Sequence, residues 1–201
     1  MMLHALAWLA ALAFLVYFAG MIALHFLPTG RHPLYHTVSD YSLGRYGGLA
    51  RVMTAVNVLG TLCLLLSLRG AAPQPAAQAG LVWLAILALS RLGMVFVLTD
   101  ESGTQATARG LLHALLAILS FTAAVFALTT LTKVAALAAL WRPLLPALDV
   151  LAGLAFPLVV LMVLTLVPGL RLRRVFGLME RLFLADVSLW LLLSAALTAW
   201  R

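Results

Sequence analysis

Six long apolar stretches are the feature that most limits what this chain can fold into. Each is long enough to cross about 30 Å of hydrocarbon as an α-helix, which rises about 1.5 Å per residue. Because backbone groups inside a bilayer must be hydrogen-bonded internally, we predict helices rather than an open sheet. The predicted fold is all-α, a polytopic transmembrane bundle of six helices in a single domain over 1–201. Its spans run over roughly 4–27, 48–68, 79–98, 109–131, 147–167 and 178–200.

The composition excludes a soluble protein and a nucleic-acid-binding protein. The chain is 65% hydrophobic and 9% charged, whereas soluble domains carry about a quarter charged residues. The net charge of +7 lies at span ends and in short loops, a pattern of headgroup contact and orientation control. We therefore expect membrane lipids as partners, together with a homo-oligomer or an accessory role in a membrane complex.

Cys63 is the sole cysteine, so an intrachain disulfide is not possible. The N-terminus is interpreted as a retained first span.

The loops after spans one, three and five share one side of the membrane, called here the odd-loop face. This face holds most of the cations: Arg31, Arg45, Arg51, Arg109, Arg171, Arg173, Arg174 and Arg181. The opposite face holds Arg69, Lys133, Arg142 and Arg201. The positive-inside rule then predicts that the odd-loop face is cytoplasmic and that both termini lie outside. Arginine is used almost to the exclusion of lysine, and alanine and leucine are abundant, which suggests a GC-rich bacterial genome. We therefore expect the inner membrane of a bacterium.

Polar residues within the predicted spans are concentrated in the half nearer the odd-loop face. Charged groups at this depth usually face a bundle interior or a water-filled cavity. We therefore predict one polar pocket that opens to the odd-loop face and contains Ser39, Asp40, Asn57, Arg91, Asp100, His113, Arg181 and Asp186. Arg91 should have a carboxylate within ion-pair reach, from Asp100 or Asp40 and next from Asp186. The structural alternative also stands, with Asn57 as interhelical glue and Arg91 with Asp186 as a buried ion pair without chemistry.

A metal or cofactor site is a weaker interpretation of the same residues. The set that would hold zinc is His36, Asp40, Asp100 and His113, and His25 with His113 would ligate haem. No HExxH, paired-cysteine, nucleophile-elbow, P-loop or dinucleotide signature is present. No cofactor is therefore favoured.

Three polar segments carry a family resemblance that covers nearly the whole chain. They are SDYSLGRYG (39–47), TDESGTQATARGLLH (99–113) and GLMERLFLADVSLW (177–190). They resemble the bacterial and archaeal six-span membrane family called domain of unknown function 998, although Thr99 stands where that family often has proline. The Ser39-Asp40 pair is also similar to the Frag/DRAM-type proteins, whose first loop faces away from the cytosol. That similarity implies the opposite orientation, and neither resemblance implies an established activity.

Two classes of function fit these observations. The favoured one is a non-enzymatic protein that binds a lipid or small anionic ligand in the polar pocket. The alternative is an intramembrane lipid-modifying hydrolase or transferase, with or without a metal. In that alternative Asp40, Asp100 and His113 would be acid–base groups or ligands and Arg91 would hold an anionic headgroup. Ser39 has no base beside it in the sequence, so no residue is marked as a nucleophile.

Overall fold

The computed structural model describes residues 2–72, 75–101, 104–167 and 172–200, and these are helical almost throughout. Six helices are long and apolar enough to cross a membrane, which confirms the predicted all-α bundle. A short helix, α5, lies in what the sequence predicts as an apolar loop. The helices are α1 (Met2–Phe26), α2 (Gly47–Ala71), α3 (Pro75–Phe96), α4 (Ala108–Thr132), α5 (Ala135–Leu140), α6 (Leu145–Leu164) and α7 (Phe176–Trp200). Three 3₁₀ turns accompany them: Ser39–Leu43, Arg142–Leu144 and Leu172–Val175.

The six long helices form a closed ring. Each packs on the next along the chain, with α6 following α4, and α7 returns to pack on α1. Small residues allow close approach: a Cβ built on Gly60 of α2 would lie 3.0 Å from the Phe14 ring of α1. Such contacts drive helix association in lipid, where burial of apolar surface adds little.

The end of the bundle remote from the odd-loop face is closed by two buried tryptophans. Trp141, just after α5, and Trp190 of α7 meet edge to face with ring centroids 5.4 Å apart. The Trp141 indole N–H donates to Thr198 at 3.0 Å, and that of Trp190 donates to Thr132 at 3.1 Å. Because both indole donors are satisfied, this end forms a packed core with no polar group of either ring unpaired.

Several predicted features lie outside the described residues. They are the proline turns at Pro73-Gln74 and Pro168-Gly169, the Ser102-Gly103 pair and Arg171.

Candidate functional site

A polar cavity of about 80 Å³ lies inside the ring, in the half nearer the odd-loop face. That volume is enough for several water molecules. Four helices and the first loop enclose it, and α7 contributes an acidic side chain. The lining includes Tyr17, Ser39, Ser42, Arg51, Thr54, Asn57, Arg91, His113, Ser120 and Glu180.

The first loop is fastened over this cavity by the start of α7. One amino group of Arg181 lies 2.7 Å from the carbonyl of His36 and 2.8 Å from that of Pro33. The carboxylate of Glu180 accepts the Val38 N–H at 2.7 Å. Gly177 makes this approach feasible, because a Cβ at that position would overlap the backbone carbonyl of His36. The loop is therefore held by charge-assisted bonds between the two α7 side chains and its backbone carbonyl and amide groups.

Arg91 provides a buried cation on one wall of the cavity. It lies five residues from the last residue of α3, or about 8 Å deep, and is 4% exposed. One of its amino groups donates to the Asn57 side-chain oxygen, and its Nε donates to Ser120 at 3.3 Å. The other amino group, Nη2, and the Asn57 amide nitrogen are buried without hydrogen-bond partners. Two unused donors thus lie in one polar environment.

Ser39 and His113 form a hydrogen-bonded pair at the same cavity. The imidazole Nδ1 lies 2.6 Å from the backbone carbonyl of Val97, which can only accept. The neutral ring therefore carries its proton on Nδ1, and Nε2 accepts from the Ser39 hydroxyl at 3.0 Å. The pair is brought together by the 3₁₀ turn that starts at Ser39 and by the second turn of α4.

An apolar groove of about 440 Å³ runs between α4 and α6 and shares five residues with the polar cavity. The shared residues are Ser39, His113, Ala117, Phe121 and Glu180. The rest of the groove is mostly aliphatic, with Ile118, Val159, Met162, Val163 and Leu166 among its lining. An apolar path from the outer surface of the bundle therefore ends at the Ser39–His113 pair.

The structure brings four of the eight predicted pocket residues to this cavity: Ser39, Asn57, Arg91 and His113. Asp40 is buried and accepts the Thr37 N–H at 2.9 Å, which shapes the first loop. Asp100 accepts both the N–H and the hydroxyl of Thr107 at 2.7 Å. These bonds hold the pKa of Asp100 below its ordinary value and tie its loop to the start of α4.

Arg181 and Asp186 lie elsewhere. Arg181 holds the first loop and lines a separate apolar groove between α1 and α7. Asp186 is 7% exposed, and both of its carboxylate oxygens are buried without a hydrogen-bond partner.

Among the described residues, no carboxylate lies within ion-pair distance of Arg91, contrary to the prediction. Arg91 donates hydrogen bonds to Asn57 and Ser120 instead. The ion pair found in the described part of the chain joins Arg31 to Glu101 at 3.0 Å. The prediction failed because the loop carboxylates Asp40 and Asp100 accept hydrogen bonds from nearby threonines instead of reaching into the bundle. Asp186 forms no ion pair with Arg91 among the described residues either.

The four residues considered for zinc are not gathered into one cluster. Within the described ranges, no group of three histidine, cysteine or acidic side chains is close enough to share a metal. His36 accepts the His32 N–H through Nδ1, and both ring nitrogens of His113 are engaged. His25 is also engaged through both nitrogens, with Met21 and Arg181, so the haem pairing has no free ligand atom.

Glu180 is the acidic cavity residue that sequence reasoning missed, together with Tyr17 and Ser42. It is 5% exposed and lies one turn into α7. The available signal was an acidic residue at the start of an apolar span, since charged groups at membrane depth usually face a bundle interior.

Taken together, the ring of six apolar helices and its polar interior define a polytopic membrane protein with a buried candidate binding site. The chain matches the family model described as protein of unknown function (DUF998) over residues 11–197, and it belongs to that family. No curated protein and no solved structure matched the chain.

Proposed function

We propose that this protein binds an anionic amphiphile of the membrane. Its phosphate or carboxylate group would lie against Arg91 and Asn57, and its acyl chain would occupy the groove between α4 and α6. The single observation that carries this proposal is the pair of buried, unpartnered donors, Arg91 Nη2 and Asn57 Nδ2. A buried guanidinium without a counter-charge destabilises a fold by several kcal/mol, so an anion is the ligand that best offsets the cost.

The α4–α6 groove supports an amphiphile over a water-soluble anion. Its lining is mostly apolar, and it joins the polar cavity at Ser39 and His113. A ligand with one charged end and one long apolar end matches both parts at once. Glu180 faces the same cavity, but its carboxylate is directed to the Val38 N–H and forms no ion pair with Arg91 among the described residues.

Native mass spectrometry of the detergent-purified protein tests the proposal. Phosphatidic acid should be retained in preference to phosphatidylcholine of the same acyl chains, and inorganic phosphate alone should not compete at similar concentration. Arg91→Leu and Arg91→Ala should each weaken the preference by roughly thirtyfold or more, since a buried charge-assisted contact is about 2 kcal/mol or larger.

Arg69→Gln is the matched control, because Arg69 is exposed at the far end of α2. It should leave retention unchanged. Equal retention of both lipids, or unaltered retention in the Arg91 variants, would contradict the proposal. If Arg91 is only structural, Arg91→Leu should be the more stable of its two variants and lipid binding should be unaffected. We also propose that the protein forms a homo-oligomer or joins a membrane complex. The same spectra test this, because they give the mass of the intact assembly.

A further inference from the structure

The hydrogen-bonded pair at the mouth of the cavity has the parts of a nucleophile and its base. Ser39 supplies a hydroxyl, His113 Nε2 accepts its proton at 3.0 Å, and the Val97 carbonyl fixes the imidazole tautomer at 2.6 Å. This is the arrangement by which serine is activated for attack on a carbonyl carbon. A backbone carbonyl here takes the orienting role that a carboxylate has elsewhere.

From this geometry we infer that Ser39 and His113 form a serine-hydrolase centre that cleaves a carboxylic ester of a membrane amphiphile. The inference rests on the proposed binding function only for how the substrate is positioned. The chain's own geometry supplies the reactive pair. His113 is 6% exposed, so its ring sits largely out of bulk water, while Ser39 remains partly exposed and within reach of water.

The reaction balances without any further reactant than water. Ser39 Oγ bonds to the ester carbonyl carbon as its proton passes to His113 Nε2. The carbon–oxygen bond to the alcohol then breaks, and the alcohol leaves with the proton from Nε2. Water next gives a proton to Nε2 and adds to the acyl carbon, and the bond to Ser39 breaks as the fatty acid departs and the serine regains its proton.

The placement of the pair favours a lipid ester over a soluble one. Both residues line the apolar α4–α6 groove as well as the polar cavity. An acyl chain in the groove would bring its ester to the point where the two spaces join, with the cation of Arg91 on the polar side. A purely structural bond between loop and helix would need no such groove beside it.

The test uses a long-chain alkyl fluorophosphonate, which forms a covalent bond to an activated serine and releases fluoride. The intact detergent-purified protein is labelled, digested and sequenced by mass spectrometry. We expect the adduct on Ser39 and its loss in Ser39→Ala. His113→Gln should slow labelling by roughly a hundredfold or more, the scale of general-base assistance.

Ser90→Ala is the control for loss of a serine elsewhere, because the Ser90 hydroxyl bonds to the helix carbonyl of Ile86 and not to a histidine. The Ser90→Ala variant should be labelled at Ser39 as fast as the unaltered protein. Thermal unfolding of each variant shows which ones keep the fold. A folded, unaltered protein with no adduct on Ser39, or with labelling that a folded His113→Gln variant retains in full, would overturn the inference.

The two proposals fail separately. If the unaltered protein shows no adduct on Ser39 but retains phosphatidic acid through Arg91, the hydrolytic centre is wrong and the binding function stands. Labelling of Ser39 without preference for an anionic lipid would sink the binding function alone. If His113→Gln does not fold, Ser39→Cys serves instead. Its thiol should react with a long-chain maleimide far faster than the thiol of Ser42→Cys, because Ser42 lines the same cavity but bonds to the Ser39 carbonyl and not to His113. Equal rates for the two thiols would overturn the inference.

Discussion

Arg91 shows how a single residue can dominate the energetics of a small membrane protein. Its charge is buried on α3, and the hydrogen bonds to Asn57 and Ser120 satisfy two of its three nitrogens. Neutral partners stabilise a guanidinium less than a carboxylate does. A bound anion or ordered water in the cavity would offset the remaining free-energy cost of burying this charge. Substitution of Arg91 therefore tests ligand binding as well as fold stability.

Asp100 acts on stability through pH. Because its folded pKa is lowered, chiefly by the Thr107 N–H and then by the Thr107 hydroxyl, its contribution is full above the unfolded value near 3.8 and is lost as the pH falls through the folded pKa. We predict that Asp100→Asn lowers the Tm at neutral pH. The difference between variant and unaltered protein should stay constant down to about pH 4 and close below it.

Differential scanning fluorimetry of both proteins across that pH range measures this. Thr107→Ala provides the control, since with the hydroxyl gone the effect of Asp100→Asn should shrink. A difference in Tm that persists unchanged into strong acid would show that the carboxylate of Asp100 is not bonded as described.

At the scale of elements, the start of α7 determines where the first loop lies. Gly177, Glu180 and Arg181 recur at the spacing that puts them on one helix face, and all three meet the loop. The turn that carries Ser39 thus depends on a helix more than 130 residues away in the chain. A cavity wall made from a loop needs this kind of anchor to keep a fixed geometry.

Two glycine substitutions separate this contact from general glycine effects. Gly177→Ala should destabilise by about 1–3 kcal/mol, because its Cβ would overlap the His36 carbonyl. Gly153→Ala, on α6 where nothing lies within 4 Å, should be neutral or stabilise by about 0.5–1 kcal/mol. Unfolding in mixed micelles titrated with SDS compares the two variants. Equal effects would mean that α7 does not approach the loop closely.

The whole molecule is asymmetric along its long axis. One end is a tryptophan-capped apolar core, and the other holds the polar cavity, the longest polar loops and most of the arginines. The proposed site therefore opens toward a single side of the membrane. Which side that is follows from the orientation predicted by the arginine distribution.

Cysteine accessibility in intact cells tests this orientation. In a Cys63→Ala background, Arg173→Cys should resist a membrane-impermeant thiol reagent, and Ala76→Cys near the turn between α2 and α3 should react. Permeabilised cells provide the control, since both cysteines should then be labelled. The reverse pattern would place the odd-loop face outside, as in the Frag/DRAM-type arrangement.

The sequence by itself determined the six spans, their approximate ends and the half of the bundle that holds the polar groups. These follow from local physics: the length of an apolar run, the helical rise and the cost of burying charge do not depend on partners. Asn57, Arg91 and His113 could be assigned to a common site on that basis.

The tertiary structure alone decided which polar groups meet. Ser39 and His113 are 74 residues apart, and only the packing of the first loop under α7 and against α4 brings them to 3.0 Å. Asp40 and Asp100 were expected beside Arg91, but loop carboxylates find nearby amides and hydroxyls at smaller entropic cost than distant cations. The pairing of side chains across a bundle depends on helix rotation and loop closure, and neither is encoded in the local pattern of hydrophobicity.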